Sequence, residues 1–225
     1  MAQSTSELWK TLIRSRDVTR EYAFDIAGTW YGPEQEVSHT VESGLYEQFG
    51  IGNASTAKLT ISLFAKDIPR TAAIKRFIRL REGEQATEWL PKGIFFANRR
   101  SDDSGYWTVE AYDAMRKAEA VWTPDQSLTF PMNMPAAAAE FARMMEVELD
   151  PRTVLNPAYT IDYPANDYTI RDELRFIAAA HGGNWIMTDE GKLLLVSLLS
   201  IPPETSYLVT EYGSAITLGG VKILV

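Results

Sequence analysis

The residues whose types and spacing could do chemistry are few. His181 opens the run His181-Gly182-Gly183-Asn184, the acidic pairs Asp102-Asp103 and Asp189-Glu190 stand beside turn glycines, and Gly50-Ile51-Gly52 is a short glycine pair. Paired carboxylates can act as general acid and base or bind calcium, and an imidazole can shuttle protons. The spacing favours plainer readings. His181 follows a helical pattern and precedes two glycines, which is how a helix is capped and left. Neither acidic pair has the spacing of a calcium loop, so both read as solvated turn residues. The glycine pair lacks the strand-to-helix context of a dinucleotide site and reads as a bend or bulge. No G-x-S-x-G elbow, H-E-x-x-H pair or P-loop occurs. The chain has no cysteine, which excludes disulfides, thiolate metal sites and a cysteine nucleophile. His39 lies in a polar strand-like stretch where no partner can be inferred. The expectation is therefore no catalytic residue, no cofactor and no metal.

Aromatic and charged residues point to surfaces instead. Six Trp, ten Tyr and nine Phe are present. Trp30-Tyr31, Trp89, Trp107 and Trp122 would suit a sugar-binding face, but core and subunit interface explain them more economically. The net charge of −8 argues against a dedicated nucleic-acid binder, and the basic cluster Arg70–Lys75–Arg76–Arg79–Arg81 reads as a solvated strand face. The apolar run Leu193–Leu199 is too short to span a bilayer, so no membrane partner is expected. Met1–Asp17 lacks the pattern of a secretory signal, which implies folding in the cytoplasm.

These residues need elements to position them. Ser4 and Glu7 have capping-box spacing, and Leu8, Trp9, Leu12 and Ile13 follow on one face of a short helix that must dock on something. Thr19–Tyr112 alternates in the manner of strands. Tyr22, Phe24 and Ile26 form one run, Leu59, Ile61 and Leu63 another, and Pro91-Lys92-Gly93 and Asp102–Gly105 read as turns. The pattern points to a β-barrel or sandwich. Ala111–Ala120 is rich in helix formers. A second helix is expected from Asn133, with Ala138, Phe141, Ala142, Met145 and Leu149 as its buried stripe and Asp150-Pro151 as its stop. A third runs from Thr169 to Gly182-Gly183. A hairpin turning at Asp189-Glu190-Gly191 follows, and strand character returns over Ser206–Val225.

Six segments, in order, resemble the tail-tip (baseplate) hub family of phages and prophages of Gram-positive bacteria. They are Ser43–Leu63, with Phe49-Gly50-Ile51-Gly52-Asn53-Ala54; Ile68-Pro69-Arg70 with Ala73; Glu88–Phe96 with Arg99; Ala111-Tyr112-Asp113-Ala114-Met115 with Lys117-Ala118-Glu119; Leu149-Asp150-Pro151-Arg152-Thr153; and Tyr168–Leu174 running into His181-Gly182-Gly183-Asn184 and Gly191-Lys192-Leu193. Such hubs are similar to the central trimeric baseplate protein of contractile tails. The resemblance implies an α+β chain: a tail-tube-like β-barrel of residues 1–112 plus 201–225, interrupted by an inserted mixed α/β domain of residues 113–200. It also implies a non-enzymatic structural role in the virion tail, with assembly in the bacterial cytoplasm. The implied partners are copies of the chain itself (a trimer in the full-length family), the tail tube or distal tail protein, and a central spike, tip or tape-measure protein. DNA would enter only by passing through the channel. The family usually carries a second barrel, and this chain stops about where that barrel would begin, as a fragment or a shortened relative would.

Ring building places apolar and aromatic residues at seams. Trp9, Leu12, Tyr46 and Phe49 are the expected subunit contacts. Two rivals stand beside the hub: a tail-associated cell-wall hydrolase, and a carbohydrate-binding module for host adsorption.

Overall fold

The computed structural model describes residues 5–43, 50–164, 167–198, 217–218 and 221–222. A short helix, α1 (Glu7–Leu12), precedes nine strands: β1 (Thr19–Ile26), β2 (Thr29–Tyr31), β3 (Glu36–Glu42), β4 (Asn53–Ala54), β5 (Lys58–Phe64), β6 (Ala73–Glu82), β7 (Gln85–Ala86), β8 (Leu90–Asp103) and β9 (Tyr106–Tyr112). All but β4 join one antiparallel sheet in the order β2-β1-β6-β8-β9-β5-β3, with β7 attached to β6. Strict alternation builds it. Leu59, Ile61 and Leu63 of β5 and Trp107, Val109 and Ala111 of β9 are buried, while the residues between them stay partly exposed.

The sheet is not a closed barrel among the described residues. Its end strands β2 and β3 do not pair with each other. It is nevertheless rolled, because residues from both ends share one core: Phe24, Ile26 and Tyr31 from one side, Leu59, Ile61 and Leu63 from the other. His39 of β3 stands edge-on to Tyr22 and Phe24 of β1, with ring centroids 4.3 and 5.5 Å away. Nη2 of Arg76, on β6, lies 3.2 Å from Nε2 of His39, whose Nδ1 meets Glu36. Among the described residues, side chains rather than backbone hydrogen bonds bring the two ends together, and the histidine without an inferable partner is at the centre of that seam. The expected closing segment Ser206–Val225 falls mostly outside the described residues. Within it, β14 (Thr217–Leu218) pairs with β15 (Val221–Lys222).

A second group of elements follows β9. A 3-10 helix (Ala114–Glu119) leads to β10 (Met132–Asn133), α2 (Met134–Met144), β11 (Thr160–Ile161), α3 (Ile170–Ala180) and the hairpin β12 (Gly183–Met187)–β13 (Leu193–Ser197). Asn133 caps α2 by accepting the Ala136 N–H at 2.9 Å. Thr169 and Asp172 form a reciprocal capping box on α3. The apolar stripes of both helices meet around Phe141, Leu174, Ile177 and Trp185. Trp185 is fully buried, and its indole N–H donates to the Leu174 carbonyl at 2.8 Å, so its burial leaves no polar group unmatched. Full burial of such a side chain contributes roughly 2–3 kcal/mol.

Several expectations shift in place. α1 is capped by Ser6, whose hydroxyl accepts the Trp9 N–H at 3.1 Å; Ser4 lies outside the described residues. Pro91-Lys92-Gly93 is not a turn but the interior of the long strand β8, where Gly93 takes φ +112°. The helix expected from Ala111 starts only after β9 ends, because Asp113 caps a 3-10 turn there. α2 stops at Met144, since Glu146 adopts φ +56°, and Leu149 instead bridges to Leu193. β4, from the first part of the chain, pairs in parallel with β12, and Ala54 belongs to the helical core.

Gly183 marks the tightest packing in this group. A Cβ there would stand 2.6 Å from the Val196 carbonyl oxygen and 3.0 Å from the Ser197 Cα, both backbone atoms that cannot swing away. Gly183→Ala is expected to destabilise the chain by about 1–3 kcal/mol in urea unfolding. Wild-type stability in that variant would show that the β12–β13 spacing is looser than described.

Candidate assembly surface

The N-terminal helix is too short to persist alone, and polar contacts pin it at both ends. The Ser6 N–H and hydroxyl donate to the two carboxylate oxygens of Glu88 at 2.8 and 2.7 Å. The Ser15 hydroxyl donates to Glu82 at 2.5 Å. α1 packs on β6 through Leu12, which is buried. Leu8 and Ile13 are exposed and Trp9 is half-buried. The expected contact residues therefore divide. Leu12 is enclosed by its own chain, Trp9 keeps some free surface, and Tyr46 and Phe49 lie outside the described residues.

Beside α1, the outer face of the sheet carries an aromatic cluster. Trp30 of β2 is 46% exposed and lies 5.1 Å from Phe77 and 5.6 Å from Trp89 between ring centroids. The Arg79 guanidinium sits over Trp89 at 4.4 Å. Glu21 accepts from Arg79 Nε at 2.6 Å and pairs with Arg81 at 2.9 Å, while Arg76 turns inward to His39. The basic cluster of the sequence is thus split between an ion-paired outer patch and the inner seam. The candidate sugar-binding aromatics are split too. Tyr31, Trp107 and Trp122 are buried, which leaves Trp30 with Trp89 at the surface.

The residues that could have done chemistry take structural posts. His181 caps α3: its Nδ1 faces the Ile177 carbonyl at 2.8 Å, and Nε2 accepts the Asn156 N–H at 2.8 Å. Both ring nitrogens are therefore engaged in holding the loop before β11 to the helix end. Asp102 accepts the Gly105 N–H at 2.8 Å in the β8–β9 turn. Asp189 pairs with Lys92 at 2.8 Å. Gly52, at φ +81°, lets its loop press on Ala179 of α3. Among the described residues no group of three or more His, Cys, Asp or Glu could hold a metal ion, and no helix is long and apolar enough to cross a membrane.

The residues that join the sheet to the helical group were not singled out as a site by sequence reasoning. Asn184 accepts the Asn53 N–H at 3.1 Å and donates to the Gly50 carbonyl at 3.1 Å. Arg171 reaches Thr56, the Met115 carbonyl and Glu119. Asp113, 7% exposed, accepts the N–H groups of Ala57 at 2.9 Å and Met115 at 3.1 Å. Burial pushes its carboxyl up to about 6, against the pull of those two donors and of Arg171. A cleft of about 350 Å³ opens between the two groups, lined among others by Val41, Arg76, Ile94, Asp113 and Met187. On the far side, Asp150 receives Arg152 Nε and Nη2, each at 2.7 Å, which holds its carboxyl down to about 2. The same Asp150 N–H donates to the Leu193 carbonyl at 2.8 Å, stapling the loop to β13.

No protein-family model matches the chain, and no curated protein matches it in sequence. Solved structures do match. A 43 kDa tail protein of prophage MuSo2 from Shewanella oneidensis superposes with a TM-score of 0.55 at 13% identity, over 84% of this chain and 59% of that one. The tail protein from Neisseria meningitidis MC58 superposes with a TM-score of 0.54 at 15% identity, over 82% of this chain and 53% of that one. The fold is that of tail proteins. The chain spans between half and three-fifths of the length of these two relatives in fold.

Two outcomes follow from the junction geometry. The Asp113 carboxyl binds its proton more tightly folded than unfolded. Its contribution to stability is therefore full below about pH 4 and is lost as pH rises through about 6, on the order of 3 kcal/mol in all. Urea midpoints measured from pH 4 to 7 should show this fall, and Asp113→Asn should remove it; an identical pH slope in both proteins would refute the assignment. His181→Ala should cost about 0.5–1.5 kcal/mol. Hydrogen exchange should accelerate first in residues 153–159, with the sheet unchanged.

Proposed function

We propose that this chain is a structural, non-enzymatic component of a phage or prophage tail, a hub at the tail tip joining the tube to a central spike or tip. The observation that carries the reading is the superposition on two tail proteins over more than four-fifths of the chain. Two further features support it. Among the described residues β2 and β3 end the rolled sheet without a further strand partner, and an uncovered edge invites pairing with another chain. The groups that could have formed an active site are held in caps, turns and ion pairs.

In this reading copies of the chain form a closed ring, and the aromatic end of the sheet supplies the seam. Trp30, Trp89 and the free side of Trp9 are its contacts, with Tyr46 and Phe49 retained as candidates. Leu12 supports α1 from beneath. The neighbours along the axis are the tube or distal tail protein on one side and the spike, tip or tape-measure protein on the other.

Antibody raised against the purified chain and imaged on isolated tails by electron microscopy should label the end of the tail distal to the capsid. Label along the whole tube, or none on particles that contain the chain by immunoblot, would sink the hub assignment. Trp30→Ala should lower the assembled fraction in light scattering while near-ultraviolet circular dichroism stays native. Leu12→Ala should instead lower the unfolding midpoint.

A further inference from the structure

The cleft between the sheet and the helical group forms at a break in strand register. β6 and β8 pair regularly up to Lys75 with Ile94 and again from Phe77 with Pro91, so that Lys92 and Gly93 together stand opposite Arg76. Such a bulge bends its strand and re-aims the side chains around it. Here it brings Arg76 and Lys92 to the same cleft. The two cations are matched differently. Lys92 meets Asp189 at 2.8 Å, a partly exposed pair that bridges β8 and the β12–β13 turn. Arg76 takes part in no ion pair among the described residues. Its Nη2 lies 3.2 Å from Nε2 of His39, its guanidinium sits over the Tyr22 ring at 4.9 Å, and its Nε–H is buried without an acceptor. Burial lowers its pKa against the opposing pull of Tyr22, Asp189 and Glu36, so this cation has lost more hydration than its neighbours restore.

Much of the remaining lining is apolar. Val41 and Ile94 come from the sheet, Ile186 and Met187 from the hairpin. The volume of about 350 Å³ lies within the roughly 300–1,000 Å³ of small-molecule sites, which favour seams between packed units and set a few polar groups in apolar walls. A guanidinium so placed selects for a carboxylate on an apolar chain. A neutral head group would leave the cation unmatched, and a cationic one would be repelled. Asp113 and Asp189 line the same cleft, and their carboxylates disfavour a dianion such as a phosphate ester.

We propose that this cleft binds a small apolar carboxylate, with its head group on the Arg76 guanidinium and its chain against Ile94, Ile186 and Met187. The site stands on the bulge, the unmatched cation and the apolar walls, and it does not depend on the ring reading above. A ligand so placed touches the sheet and the hairpin at once, and therefore tightens the joint between them.

Octanoate is the probe, titrated into the full chain and followed by methyl NMR of isoleucine and methionine. The Ile94, Ile186 and Met187 resonances should shift and saturate. Octanamide should bind about tenfold more weakly, the cost of one charge-assisted hydrogen bond, and octylamine should not bind. Arg76→Gln should bring octanoate down to the level of the amide. Because Arg76 also serves the seam with His39, a second variant leaves it in place. Ile186→Trp fills the cleft from a half-buried position outside the helical core cluster, and should abolish octanoate binding while the urea midpoint stays native. Absence of a saturable shift, equal affinity for acid and amide, or octanoate binding that survives Ile186→Trp would each overturn the proposal.

Discussion

A β-sheet with one apolar face must cover that face, and among the described residues this one does so by rolling its two ends over a shared core rather than by pairing them. The contact that completes the roll is polar: His39 between Glu36 and Arg76, with Tyr22 and Phe24 against the imidazole ring. Backbone closure would have removed both sheet edges. Among the described residues, side-chain closure leaves β2 and β3 as the ends of the sheet.

The helical group is attached by polar devices at three places. On one side the entry to β5 at Ala57 is held by Asp113, the residue after β9, and Arg171 ties α3 to Thr56. On the other, Lys92 of β8 meets Asp189 in the β12–β13 turn. Asn184 adds a link across 131 positions of sequence to Asn53, beside the parallel pairing of β4 with β12. Buried polar groups specify geometry because only one arrangement satisfies them. The Asp113 carboxyl shows the cost, since burial raises it to about 6 even with two backbone donors.

The six segments quoted from the sequence are mostly joints in the fold. Glu88 holds the N-terminal helix, Gly93 and Phe95 shape β8, Asp113 caps the turn after β9, Asp150 and Arg152 staple a loop to β13, and Thr169 starts α3. Residues that serve backbone geometry are hard to substitute without moving an element.

Local physics was legible in the residues themselves. Alternation at Leu59, Ile61 and Leu63, the Asn133 cap, the Thr169–Asp172 box and the Gly182-Gly183 exit each depend on neighbours within a turn or a strand, so type and spacing suffice to find them. Reading Pro91-Lys92-Gly93 as a turn failed because pairing with β6 keeps that stretch extended, an interaction with no trace in the segment. The same holds for α2, whose stripe continues to Leu149 in sequence but is broken by the backbone at Glu146. Tertiary structure alone decided that His39 sits in the seam, that Trp107 and Trp122 are core while Trp30 is surface, and that Leu12 faces inward. Burial is a property of what lies opposite a side chain, and for these residues the opposite partner is dozens of positions away.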